Sequence, residues 1–183
     1  RWAVALQNDF RARLDWCVSA RAGANHPPAV RVKSGDRSLA GGPPDPLTPG
    51  GNGPAVLRLS PGQSVRFSGA ESSDPDGNAL TFRWEWYREA GTYRGAGDAW
   101  ESHSADLTFT APEVTTPESI HLILSVTDAG TPPLTRYARV VITVDPTGHP
   151  ADLTSCVEPA PEFAADLGSF RSPLQFQDGA VAR

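Results

Sequence analysis

Between Trp84 and Trp100, a 17-residue stretch carries five aromatic residues: Trp84, Trp86, Tyr87, Tyr93 and Trp100. Rings at that density suit sugar recognition, because a pyranose face is apolar and its C–H groups stack on a π face while polar side chains hold the hydroxyls. In Leu80 to Trp86 period-two alternation puts Leu80, Phe82, Trp84 and Trp86 on one face and Thr81, Arg83, Glu85 and Tyr87 on the other. The first set is the expected core face. That leaves Tyr87, Tyr93 and Trp100 as the candidate carbohydrate-binding platform, with Arg88, Glu89 and His103 as hydroxyl partners. The competing reading of each ring is core packing or loop anchoring.

Oxygen donors form a second constellation. Asp74, Asp76 and Asn78 alternate along one loop, and Asp128 comes from a separate Asp-Xaa-Gly turn. Hard oxygen groups suit Ca2+, which takes about six to eight of them, so Asp74, Asp76 and Asp128 are candidate calcium ligands. The alternative is a plain turn, in which the aspartates accept backbone donors and Gly77 takes a positive φ. An EF-hand is excluded on spacing. Cys17 and Cys156 are 139 positions apart, which excludes a paired zinc or redox motif; they are either one long-range disulfide or two free thiols. His26, His103, His121 and His149 show no ligand spacing. There is no GxSxG elbow, and neither cysteine has a base nearby in sequence. Asp9 and Asp15 lie six apart on different helix faces, which argues against a carboxylate pair and for a solvated or docking face. No catalytic constellation is visible, so the chain reads as nonenzymatic.

The elements that must position these groups are mostly strands. The chain has 17 Gly and 18 Pro in 183 residues, well above the usual share of about 12%, and that load works against long helices in the middle of the chain. Arg1 to Arg21 lacks both residues, and Leu6, Phe10, Leu14, Cys17 and Val18 recur at helical spacing. One amphipathic helix is expected there, with an apolar stripe that something must cover. Pro27-Pro28 ends it. A strand is expected at Ala29 to Lys33, then a long Gly/Pro-rich loop over 34–54. Short alternating runs follow at Val56 to Leu59, Ser64 to Ser68, Leu80 to Tyr87, Asp106 to Thr110, Ile120 to Thr127 and Thr135 to Val144, separated by turn signals. The expected fold class is mainly β, a β-sandwich preceded by one helix. Residues 1–28 read as a linking helix, 29–145 as the sandwich and 146–183 as an irregular tail wrapping one or the other.

The formal net charge is −5, and the fifteen Arg and one Lys are scattered. No electrostatic footprint for nucleic acid appears, and no apolar run is long enough to cross a bilayer. Because the chain opens Arg1-Trp2-Ala3 and contains no Met, it is expected to be a processed or excised piece of a longer protein whose export signal lay upstream.

Two passages resemble known families. Ser72-Ser73-Asp74-Pro75-Asp76-Gly77-Asn78-Ala79-Leu80-Thr81-Phe82-Arg83-Trp84 resembles the SxDPDGDxLTYxW signature of immunoglobulin-like sandwich modules of the polycystic-kidney-disease and bacterial cadherin-like type. A second set comprises Arg1-Trp2-Ala3, Gln7-Asn8-Asp9-Phe10, Arg13-Leu14-Asp15-Trp16-Cys17, Ala24-Asn25-His26-Pro27-Pro28, Glu89-Ala90-Gly91-Thr92-Tyr93 and Thr127-Asp128-Ala129-Gly130-Thr131-Pro132-Pro133-Leu134-Thr135-Arg136-Tyr137. It is similar to the C-terminal part of bacterial cellulose-binding proteins that carry a nucleoside-hydrolase-like domain. The resemblance implies an upstream hydrolase-like domain as partner and an extracellular or periplasmic location. It also implies a noncatalytic accessory module that binds cellulose or a related polysaccharide. The DxDxxxDD cluster with which nucleoside hydrolases hold calcium and activate water does not occur here. Two other readings fit the same residues: a spacer that docks, stabilises or dimerises the hydrolase-like domain without binding sugar, and the C-terminal part of an N-glycosidic hydrolase.

Overall fold

The computed structural model describes residues 2–41, 54–95 and 101–147. One helix, α1 (Ala3–Val18), precedes nine strands: β1 (Arg31–Ser34), β2 (Arg37–Gly41), β3 (Ala55–Leu59), β4 (Ser64–Ser68), β5 (Leu80–Trp86), β6 (Glu101–Ser102), β7 (Asp106–Thr110), β8 (Glu118–Asp128) and β9 (Thr135–Val144). They form two sheets, ordered β2-β1-β4-β7 and β3-β9-β8-β5-β6. All pairings are antiparallel except β3 with β9. The expected mainly β sandwich with one N-terminal helix is what the chain builds.

The core lies between the sheets. Trp84 is fully buried, its ring 5.9 Å from Phe67 of the facing sheet, and its indole N–H donates to Ala105 O at 3.2 Å. Leu57, Leu59, Leu122, Leu124, Val126, Val140, Ile142 and Val144 are among the residues packed with them. On β8 and β9 these core residues are even-numbered, as on β5, so the odd-numbered residues of β5, β8 and β9 face outward.

The Gly/Pro-rich stretch departs from expectation. Its first part is not loop: β2 returns along β1, and Gly35 at φ +58° turns the chain between them. Gly adopts that left-handed conformation without the steric cost of a Cβ. Residues 42–53 lie outside the described residues, as does 148–183, so the expected tail is not described. The two-residue β6 was also not foreseen; it pairs with Trp84 and Glu85 at the sheet edge.

Helix α1 contacts the sandwich through the face opposite its apolar stripe. Ala12 is buried there, and its small side chain permits close approach. The stripe itself faces outward, with Leu6 71%, Phe10 64%, Leu14 54% and Val18 85% exposed. The cover that periodicity demands is therefore absent among the described residues. Two-faced helices defeat a simple amphipathic reading, because polar Asn8, Asp9 and Trp16 can dock through specific bonds rather than through apolar area.

Candidate functional site

The motif residues converge on one end of the sandwich. From α1, Asn8 Nδ2 donates to Pro133 O at 3.0 Å, and Asp9 Oδ2 accepts from Arg13 Nε within the helix while its Oδ1 forms an ion pair with Arg136 of β9, both at 2.9 Å. Trp16 Nε1 donates to Asn25 O at 2.8 Å, and its ring stacks on His26 at 5.7 Å. Asn25 is the hub: its Nδ2 reaches both Asp128 oxygens at 3.1 Å and Pro132 O at 2.8 Å, while its Oδ1 accepts from Asn78 Nδ2 at 3.2 Å. His26 donates its backbone N–H to Asp76 Oδ2 at 2.6 Å, and its ring lies 3.0 Å from Asp76 Oδ1.

The three candidate calcium ligands are each engaged by protein donors. Asp74 Oδ1 accepts from the backbone N–H groups of Asp76 at 3.0 Å and Asn78 at 2.9 Å, with Gly77 at φ +77°. Asp128 accepts from Gly130 N–H at 2.9 Å and Leu134 N–H at 3.0 Å. Among the described residues, no group of three or more His, Cys, Asp or Glu side chains is arranged to hold a metal ion. The geometry at Asp74 is that of a capped turn. Burial raises the Asp76 carboxyl, but the His26 backbone and ring bonds outweigh it and hold the group below its ordinary range. Burial likewise opposes ionisation of Asp9, and Arg13 and Arg136 prevail. This end of the molecule is a clamp joining α1 and the segment after it to the turns of the sandwich. Cys17 is exposed on α1, and Cys156 lies outside the described residues.

The aromatic candidates separate. Tyr93 is partly buried against the core, its ring 5.8 Å from Trp86 at 30°. Trp100 lies outside the described residues. Tyr87 is half-buried on the outer face of the five-stranded sheet, 6.3 Å from Trp2 and edge-on to it. Trp2 also meets Tyr137 of β9 at 5.0 Å and 84°. Of the expected hydroxyl partners, Arg88 lies over the Trp86 ring at 4.7 Å and His103 is 3.3 Å from Glu101.

Strand register orders this outer face into rows. Arg83, Ser125 and Tyr137 form one row and Glu85, Ile123 and Arg139 the next, while Tyr87 N–H donates to His121 O in the third. Ile123 lies midway between Tyr137 and Tyr87, and Trp2 touches both rings. Arg83 bridges two carboxylates, at 3.1 Å to Glu85 and 2.7 Å to Glu101. Burial raises the Tyr137 hydroxyl above its ordinary range, with Glu85's charge adding to it. Tyr137 has the opposite parity to Val140, Ile142 and Val144, so alternation alone identifies it as outward. Trp2 had no local signal, because its partners are distant in sequence.

Residues 64–144, from β4 to the end of β9, match the family described as the C-terminal domain of the cellulose-binding protein Sde0182. The chain is also similar to a solved nucleoside hydrolase-related hypothetical protein from Saccharophagus degradans, described as associated with carbohydrate metabolism. Identity is 33% and the TM-score 0.66, over 79% of this chain and 32% of that one. The chain thus spans about a third of that protein's length. No curated protein sequence matches it. Among the described residues, no helix is long and apolar enough to cross a membrane.

Proposed function

We propose that the chain is a noncatalytic, immunoglobulin-like accessory module of an exported bacterial protein and that it binds cellulose or a related polysaccharide. The observation that carries this reading is the match of residues 64–144 to a cellulose-binding protein's C-terminal domain. The outer face of the five-stranded sheet supports it, since Trp2 and Tyr137 are partly exposed there beside Arg83 and Glu101. Rings for the C–H faces of a sugar, next to groups that hold hydroxyls, are what such binding requires. Sedimentation of the chain with insoluble cellulose and with other insoluble glucans tests the reading. Retention on at least one is expected, without glycosidase or nucleosidase turnover; retention on none removes it.

A second reading is favoured by one observation, the exposed stripe Leu6, Phe10, Leu14 and Val18. A contiguous apolar helix face suits docking, and the partner is an upstream nucleoside-hydrolase-like domain like the one implied by the longer solved relative. In a protein containing both parts, Phe10→Ser should loosen the junction and speed proteolytic separation, whereas an unchanged cleavage rate would remove this reading.

A further inference from the structure

Helix α1 leaves its apolar stripe without a cover among the described residues. Leu6, Phe10, Leu14 and Val18 are all more than half exposed, and exposed Cys17 recurs with them at helical spacing, a turn beyond Leu14. Leu6, Phe10 and Leu14 stand four residues apart, about 6 Å each along the helix axis. Exposed Arg11 and Arg13 flank the stripe on its two sides, and Arg13 is paired with Asp9. A contiguous apolar face with a basic rim suits an occupant that is apolar along one side and acidic beside it.

A second copy of the chain is a poor match, because two facing stripes would set arginines against arginines. The chain's own segment beyond β9 has the opposite sign. Residues 150–170 contain Asp152, Glu158, Glu162 and Asp166 and no Lys or Arg. Phe163, Leu167 and Phe170 occur among them at spacings of four and three, the pattern of a single helix face. Reach permits the contact. β9 runs from Thr135, beside the clamp that holds α1, to Val144 at the far end, and its ten residues span about 30 Å. Phe163 comes 16 residues after Thr147, the last described residue, and that length of chain extends to about 53 Å.

We propose that the segment carrying Phe163, Leu167 and Phe170 folds back on α1 and covers Leu6, Phe10, Leu14 and Cys17, with Glu162 and Asp166 toward Arg11 and Arg13. This intramolecular cover is an alternative to the upstream domain as occupant of the stripe, and it leaves the polysaccharide reading untouched. Cys17 is the reporter: Cys156→Ser makes it the single thiol of the chain, and its alkylation by iodoacetamide, a neutral reagent, is timed in the full-length folded protein. That parent is expected to react roughly tenfold more slowly than a variant that also carries Phe163→Ser, Leu167→Ser and Phe170→Ser, at a rate independent of protein concentration. A charge-reversed variant, Glu162→Lys with Asp166→Lys, keeps the apolar anchors and is also expected to react faster than the parent. Equal rates in the parent and both variants overturn the proposal. Fast alkylation of all three means that the stripe is bare; slow alkylation of all three means a different cover, a second copy where the rate falls as protein concentration rises.

Discussion

Asn25 illustrates how one amide can hold distant segments together. It serves the buried Asp128 carboxylate, a proline carbonyl and Asn78 at once, and the approach is so tight that a Cβ on Gly130 would fall 2.1 Å from Asn25 Oδ1. Asn25→Ala should cost about 2–3 kcal/mol, because it removes a donor from a buried charged acceptor; urea unfolding at neutral pH measures it. His121 supplies a pH dependence of known sign. Burial, then repulsion from Arg139, holds its pKa below the ordinary 6.5, so the unfolded chain takes up the proton first. Its contribution is intact above the unfolded value and is lost progressively as pH falls below it. The urea midpoint should therefore drop between about pH 7 and pH 5, with a shallower slope in His121→Gln; identical slopes would mean that His121 is not the group responsible.

At the scale of elements, α1 is held by a small residue and directed polar contacts rather than by apolar area. Ala12→Leu should overpack that face and weaken docking by about 1–3 kcal/mol, seen as a change in Trp16 fluorescence at denaturant concentrations that leave the strands intact. The strands were legible because their alternation is clean: β4, β7 and β9 have the bounds that the pattern indicates. β2 was hidden by the Gly and Pro that follow it, although Gly35-Asp36 between Val32 and Leu39 is a hairpin signal. At the candidate site, Tyr87 was legible from its parity and from the aromatic density around it. The burial of Glu85 and His121 was not, because an acidic or imidazole side chain on an outward strand position normally meets water. The aspartates showed their chemistry but not their partners, since His26 lies 50 positions before Asp76 and Asn25 lies 103 positions before Asp128.

For the whole molecule, the signature residues and the proposed binding face do different jobs. Asn8, Asp9, Asn25, His26, Asp74, Asp76, Asn78 and Asp128 clamp the helix and the following segment to one end of the sandwich. The clamped helix is preceded by Trp2, which meets Tyr87 and Tyr137, so the helical segment contributes a ring to the sheet's outer face. On this account the helix is part of the binding module as well as a junction. The most direct test is backbone and indole NMR shift mapping of the 183-residue chain during titration with cellohexaose. The account predicts shifts concentrated at the Trp2 indole and at the outward residues of β5, β8 and β9, with the β2-β1-β4-β7 sheet unaffected. Shifts centred on that other sheet, or no shifts despite retention on insoluble cellulose, would contradict it.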